Sequence, residues 1–123
     1  QQDIYIAKMK NPWTIEGTRV KISAPVYDWE KIGDLKNPAD VPHINVNEGP
    51  QALIHGKDLF IVYSASACWT DNYALGLLRF KEGENLLDPT KWIKAPEVLR
   101  NWLRLRVFLI EEPRIGLEMR CFG

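Results

Sequence analysis

Short runs of strand-forming residues, each ended by a turn signal, make up most of this chain and point it towards an all-β fold. Ile4-Tyr5-Ile6-Ala7-Lys8-Met9 is rich in strand formers and is stopped by Asn11-Pro12, because proline cannot donate to a ladder. Arg19-Val20-Lys21-Ile22-Ser23 alternates polar and apolar residues, the period of a half-buried strand. Residues 51–54 and 59–64 flank His55-Gly56-Lys57-Asp58, a hairpin pattern with a glycine in the turn. Residues 73–78 predict another strand, and Lys91-Trp92-Ile93-Lys94 a short, edge-like one. Residues 27–43, punctuated by Gly33, Pro38 and Pro42, predict a long loop.

An internal echo adds an architecture. Residues 4–9 followed by Asn11-Pro12-Trp13-Thr14-Ile15 resemble residues 73–78 followed by Asp88-Pro89-Thr90-Lys91-Trp92-Ile93. Each is an apolar strand, a turn ending in Asn/Asp-Pro, and a Trp on the next strand, with two more strands in between. Repeated units of four short antiparallel strands describe propeller blades, which stack on neighbours because none can bury its faces alone. By periodicity alone an all-β sandwich fits almost as well. The repeat also places Trp13 and Trp92 at equivalent, packed positions.

Composition narrows the partners. Sixteen basic residues balance sixteen acidic ones, so no basic face for nucleic acid or membrane is expected. No apolar run is long enough to span a bilayer as a helix. Cys68 and Cys121 make neither a disulfide framework nor a zinc site, and no metal or cofactor is expected. From Val98 onward the chain turns rich in Leu, Arg and Glu and contains no Lys, whereas the preceding residues prefer Lys to Arg. Residues 98–123 are therefore read as an atypical tail, a frameshift or unspliced intron ahead of an authentic terminus. Residues 1–97 form the domain proper.

Val46-Asn47-Glu48-Gly49-Pro50 is the segment richest in chemical potential. Glycine permits a tight backbone path and proline fixes the next dihedral, so Glu48 can be presented at the start of a strand. Glycoside hydrolysis needs a carboxylic acid near the leaving oxygen and a second carboxylate on the other face of the sugar. By spacing alone, a Glu before Gly-Pro is more often a surface loop residue.

Residues 3–15, Val46-Asn47-Glu48-Gly49-Pro50-Gln51-Ala52-Leu53, Tyr63-Ser64-Ala65-Ser66 and residues 69–78 together resemble glycoside hydrolase family 43, in its α-L-arabinofuranosidase branch. The resemblance runs from about residue 2 to residue 96. It implies part of a five-bladed β-propeller, about two blades, and an inverting mechanism with an Asp base, a Glu acid and a second, tuning Asp. Only the acid transfers, onto Glu48. The family's base and tuning Asp fall ahead of Gln1, and its axial His falls after Pro96, where the tail does not resemble the closing blade. His43 reads as a loop residue and His55 as a hairpin-turn residue.

Trp69 and Asp71 lie on a loop between two strands. There a Trp face can stack on a sugar and an Asp can accept hydroxyl hydrogen bonds. Packing and turn formation explain them equally well. Trp29 reads as a loop anchor and Asp28 as a solvated acid. Cys68, Ser64 and Ser66 lack the partners a nucleophile needs.

The resulting expectation is an extracellular glycosidase that removes terminal α-L-arabinofuranosyl residues from plant polysaccharide. The present chain, with one catalytic carboxylate, is expected to be inactive and poorly soluble alone. A β-xylosidase or endo-arabinanase parent, a non-catalytic carbohydrate-binding propeller piece, and a truncated product without function are the alternatives.

Overall fold

A computed structural model describes residues 1–33 and 45–99. His43, Cys121 and residues 100–123 of the tail lie outside them. Strands β1 (Ile4–Asn11) and β2 (Thr14–Ser23) form a two-stranded antiparallel sheet. Strands β3 (Asn47–His55), β4 (Asp58–Ala65), β5 (Ala74–Lys81) and β6 (Trp92–Lys94) form a second antiparallel sheet in the order β3-β4-β5-β6. The helical elements within the described residues are 3-10 turns at Asp28–Glu30 and Pro89–Lys91, so the part of the chain that they join is all-β, as its pattern predicts. No helix among the described residues is long and apolar enough to cross a membrane.

Local sequence explains each turn. His55 pairs with Asp58 across Gly56-Lys57, and Gly56 has φ +60°, the positive dihedral that a tight two-residue hairpin demands. Asn11 pairs with Thr14 around Pro12-Trp13, and the Asn11 side-chain oxygen accepts from the Trp13 N–H at 3.3 Å. Asp88 caps the turn before β6 by accepting from the Thr90 N–H at 2.9 Å, with Pro89 next in line.

One core joins the two sheets. Ile4 and Ile22 from the first pack with Ile61, Tyr63, Ala65, Leu78, Phe80 and Trp92 from the second. Phe80 and Trp92 lie with ring centroids 5.1 Å apart, and the Trp92 indole N–H donates to the Leu86 carbonyl at 3.0 Å. Burial in β2 is confined to its end: Ile22 and Ser23 are buried, whereas residues 14–19 are exposed on both faces. The alternation expected of residues 19–23 is present over residues 19–22, with Arg19 and Lys21 exposed, Val20 half-buried and Ile22 buried, and it ends at the buried Ser23.

The proposed equivalence of Trp13 and Trp92 does not hold. Trp13 is 83% exposed at the tip of the β1–β2 hairpin, while Trp92 is buried at the head of β6. Trp13 lies within the two-residue connection between β1 and β2, whereas Trp92 follows a longer connection that includes a capped turn. The two Asn/Asp-Pro signals thus deliver their tryptophans to different places.

Tyr63 and Gly76 face each other across β4 and β5. A Cβ on Gly76 would stand 2.1 Å from the Tyr63 ring, so the ring lies flat over a position that only glycine leaves open. Gly76→Ala must displace a fully buried ring, and is expected to destabilise the fold by about 1–3 kcal/mol. Chemical denaturation of the variant against the parent checks this.

Candidate functional site

Glu48 is the second residue of β3 and is half-buried. Its Cα partner on β4 is Ser64, and Gln51 pairs with Val62, so β3 carries one extra residue at Gly49-Pro50. This is a β-bulge, and Gly49 at φ +56° supplies the left-handed residue it needs. Gly-Pro therefore interrupts the regular ladder directly after Glu48, and pairing resumes at Gln51. The turn chemistry read from sequence is present, though as a bulge within a strand rather than a loop before one.

Directly opposite residues share a sheet face, so Glu48 lies on the face of Ser64. The Ser64 Oγ and the Tyr73 hydroxyl are 2.6 Å apart. Ala65 pairs with both Asn47 and Ala74, so the connection carrying residues 66–73 leaves the sheet at the end where Glu48 sits. Trp69, 60% exposed, and the exposed Asp71 lie on this connection. The structure thus brings Glu48, Trp69 and Asp71 to one end of one sheet. His55 is at the opposite end of β3, at the hairpin.

Ser66 shapes the exit of β4. It is buried with φ +64°, an uncommon conformation for a residue with a side chain. Its Oγ donates to the Trp29 carbonyl at 2.7 Å and accepts from the Ile32 N–H at 3.1 Å. Those bonds fasten the 28–32 segment beneath the Trp69 connection. Trp29 is an anchor, as expected, with its indole N–H donating to the Pro96 carbonyl at 3.0 Å, and Asp28 is exposed.

The opposite face of the β3 entry holds a cluster that the sequence reading passed over. Glu30 is completely buried. One carboxylate oxygen accepts from the Asn47 side-chain amide at 2.9 Å and from the Tyr63 hydroxyl at 2.9 Å. The other accepts from the backbone N–H groups of Val26 and Tyr27 at 2.7 and 2.9 Å. Lys94 places its ammonium 2.5 Å from Glu30 Oε1. It also donates to the Ala24 carbonyl at 2.6 Å and to Asn47 Oδ1 at 3.0 Å.

Burial, the largest single influence, pushes the Glu30 carboxyl up. The Lys94 ammonium, the Tyr27 and Val26 N–H groups and the Asn47 amide outweigh it and hold the group below its ordinary value. Burial drives the Lys94 ammonium below its ordinary value, with Glu30 opposing. Burial and the Glu30 charge push the Tyr63 hydroxyl far up, which keeps it a donor. Glu30 is fully enclosed and its oxygens are committed to these donors, so it is out of reach of any molecule bound at the surface.

A signal for this cluster was present. In β6, Trp92 is buried and Ile93 is 64% exposed, so the two-residue period turns Lys94 inward. An inward lysine requires a carboxylate partner. Among the described residues, no group of His, Cys, Asp and Glu side chains is arranged to hold a metal ion.

No family model matches the chain. It is 40% identical over 94 residues to an extracellular exo-α-(1→5)-L-arabinofuranosidase of Streptomyces chartreusis, a match covering 76% of this chain and 25% of that protein. It is 41% identical over 95 residues to α-L-arabinofuranosidase 43 of Humicola insolens, covering 17% of that protein. The crystal structure of an α-L-arabinofuranosidase from Lactobacillus brevis superposes with a TM-score of 0.65 at 42% identity, covering 78% of this chain and 26% of that one. The chain therefore spans a quarter or less of the length of the curated relatives named here. Over that length it is similar to arabinofuranosidases in both sequence and fold, in agreement with the branch its motifs resemble.

Proposed function

We propose that this chain is part of a family 43 glycoside hydrolase, an extracellular inverting exo-α-L-arabinofuranosidase, and that Glu48 is its general acid. The four-stranded sheet is then one blade of a five-bladed propeller, and β1–β2 is half of its neighbour. The observation that carries the reading is the placement of Glu48. A carboxylate stands at the head of a strand, isolated by a Gly-Pro bulge, at the sheet end where Trp69 and Asp71 emerge. Such an acid protonates the glycosidic oxygen as the bond to the anomeric carbon breaks, while a water activated by a second carboxylate attacks from the opposite face. Trp69 offers an exposed ring for a sugar face, and Asp71 an acceptor for its hydroxyls. The substrate is an arabinose-bearing plant polysaccharide or an oligosaccharide derived from it.

The base and the tuning carboxylate belong to blades outside this segment. The 123-residue polypeptide alone is therefore expected to release no arabinose from arabinan or a chromogenic arabinofuranoside, while the complete protein does. Arabinose release from both preparations is the test. Turnover by the polypeptide alone that Glu48→Gln abolishes would show that the missing blades are dispensable.

The exposed ring of Trp69 favours one alternative, a non-catalytic carbohydrate-binding propeller. That reading requires the complete protein to bind arabino-oligosaccharide without hydrolysing it, and to keep binding after Glu48→Gln. Release of xylose, or cleavage within arabinan chains, in place of terminal arabinose would move the assignment to a β-xylosidase or an endo-arabinanase.

A further inference from the structure

Asn47 precedes Glu48, and strand alternation turns their side chains to opposite faces of β3. Asn47 is 1% exposed. Its Nδ2 donates to Glu30 Oε1 and to the Val46 carbonyl, both at 2.9 Å. Its Oδ1 accepts from Ser23 Oγ at 2.7 Å and from Lys94 Nζ at 3.0 Å. Two donors and two acceptor sites are all that a carboxamide possesses, so the group is saturated. Its orientation is also forced: rotation by half a turn would set the amide N–H₂ against an ammonium and the oxygen against a carboxylate.

The partners come from four separate parts of the chain. Ser23 ends β2, Glu30 lies in the 3-10 turn, Val46 adjoins Asn47, and Lys94 ends β6. The backbone is held as well: the Asn47 N–H donates to the Gln2 carbonyl at 3.0 Å, and the Val46 N–H to the Glu30 carbonyl at 3.3 Å. On the far side of Glu48, regular pairing breaks at the bulge. The position of Glu48 is thus fixed from its N-terminal side.

We propose that Asn47, oriented between the Glu30 carboxylate and the Lys94 ammonium, is the positioning residue that holds the general acid Glu48 in register with the glycosidic oxygen. This rests on the reading of Glu48 as the acid. Asn47 touches no substrate, because its side chain is enclosed on the opposite face. It acts through the main chain it shares with Glu48, and the ion pair across it serves to orient its amide. Catalytic geometry is steep: a displacement of about 1 Å costs on the order of 100-fold in rate.

Leaving groups separate positioning from general damage. A sugar alkoxide is a poor leaving group and needs its proton from the acid, whereas 4-nitrophenolate departs with little help. The complete enzyme carrying this segment is assayed as parent, Glu48→Gln, Asn47→Ala and Ser23→Ala, on arabino-oligosaccharide and on 4-nitrophenyl arabinofuranoside. For Asn47→Ala, kcat on the oligosaccharide is expected to fall by about 100-fold, with KM little changed and the 4-nitrophenyl substrate losing less than about tenfold. Ser23→Ala removes one of the four bonds and is expected to give the same selectivity at about fivefold, which keeps the test intact if Asn47→Ala does not fold.

Equal losses on both substrates, or no loss on either, with Glu48→Gln still selective, overturn the role of Asn47 and leave Glu48 standing. A Glu48→Gln enzyme without the selective loss overturns the assignment of the acid, and this inference falls with it.

Discussion

Glu48→Gln in the complete enzyme is expected to lower turnover of arabino-oligosaccharide by about 100- to 10,000-fold, the usual contribution of a general acid. Glutamine preserves the size of the side chain and its hydrogen-bonding reach but has no proton to give at the moment the bond breaks. Substrate affinity should therefore change far less than kcat, because the ground-state contacts proposed for Trp69 and Asp71 remain. An activated aryl arabinofuranoside should recover much of the lost rate, since its leaving group departs unprotonated. Steady-state kinetics on the two substrates check all three expectations. Unchanged turnover of oligosaccharide would remove Glu48 from the mechanism and favour the carbohydrate-binding reading.

The largest expected effect on stability lies at Glu30. Glu30→Ala strips a buried carboxylate from Lys94, Asn47, Tyr63 and two backbone N–H groups at once. Breaking a buried ion pair from one side typically costs about 3–5 kcal/mol, because the remaining charge stays enclosed without a partner. Lys94 then keeps only two neutral acceptors, the Ala24 carbonyl and Asn47 Oδ1, and burial already depresses its ammonium with Glu30 present. Denaturant unfolding of the complete protein measures the loss.

The pH dependence has a definite sign. The folded Glu30 carboxyl is held below its ordinary value of 4.5, so its contribution is fully present above that value. It is lost as pH falls through the lower folded value. The stability gap between the parent and Glu30→Ala should accordingly be widest near neutrality and close under strongly acidic conditions. A gap that widened on acidification would mean that Glu30 is not ionised in the fold.

Glu30 and Glu48 make an instructive contrast. Both are acids near glycine- and proline-bearing segments, and the sequence singles out only Glu48. In the folded chain Glu30 is enclosed and saturated with donors, a task of cohesion. Glu48 is half-buried beside a bulge and faces a pair of hydroxyl groups. The two residues meet through Asn47, which is bonded to one and adjacent to the other. The buried Glu30 cluster and the main chain leading into Glu48 therefore share a single amide.

Strand identity was legible in sequence because it rests on local terms. Alternation, β-branched content and Gly or Pro punctuation marked residues 4–9, 51–54, 59–64 and 73–78, and every one of these runs falls mainly within a described strand. The Gly49-Pro50 geometry was legible for the same reason, since left-handed glycine and fixed proline are properties of single residues. Strand extent was less so: β2 begins at Thr14 and β3 at Asn47, because pairing with a neighbour extends a strand beyond its best-forming residues. The matching of Trp13 with Trp92 failed because a repeat in sequence does not record how far a connection travels before the next strand begins.

What the chain by itself determined is an all-β course, its turns, and a carboxylate at the head of β3. What only the tertiary structure decided is the company those residues keep. Of Ser23, Glu30, Asn47, Tyr63 and Lys94, the outermost two lie 71 positions apart in the chain, and the bond from Lys94 to the Ala24 carbonyl spans 70. Nothing local requires them to meet. They meet because two sheets share one apolar core, and burying that core encloses polar groups that must then find one another, since an unpaired charge or amide in the interior costs more than folding can recover.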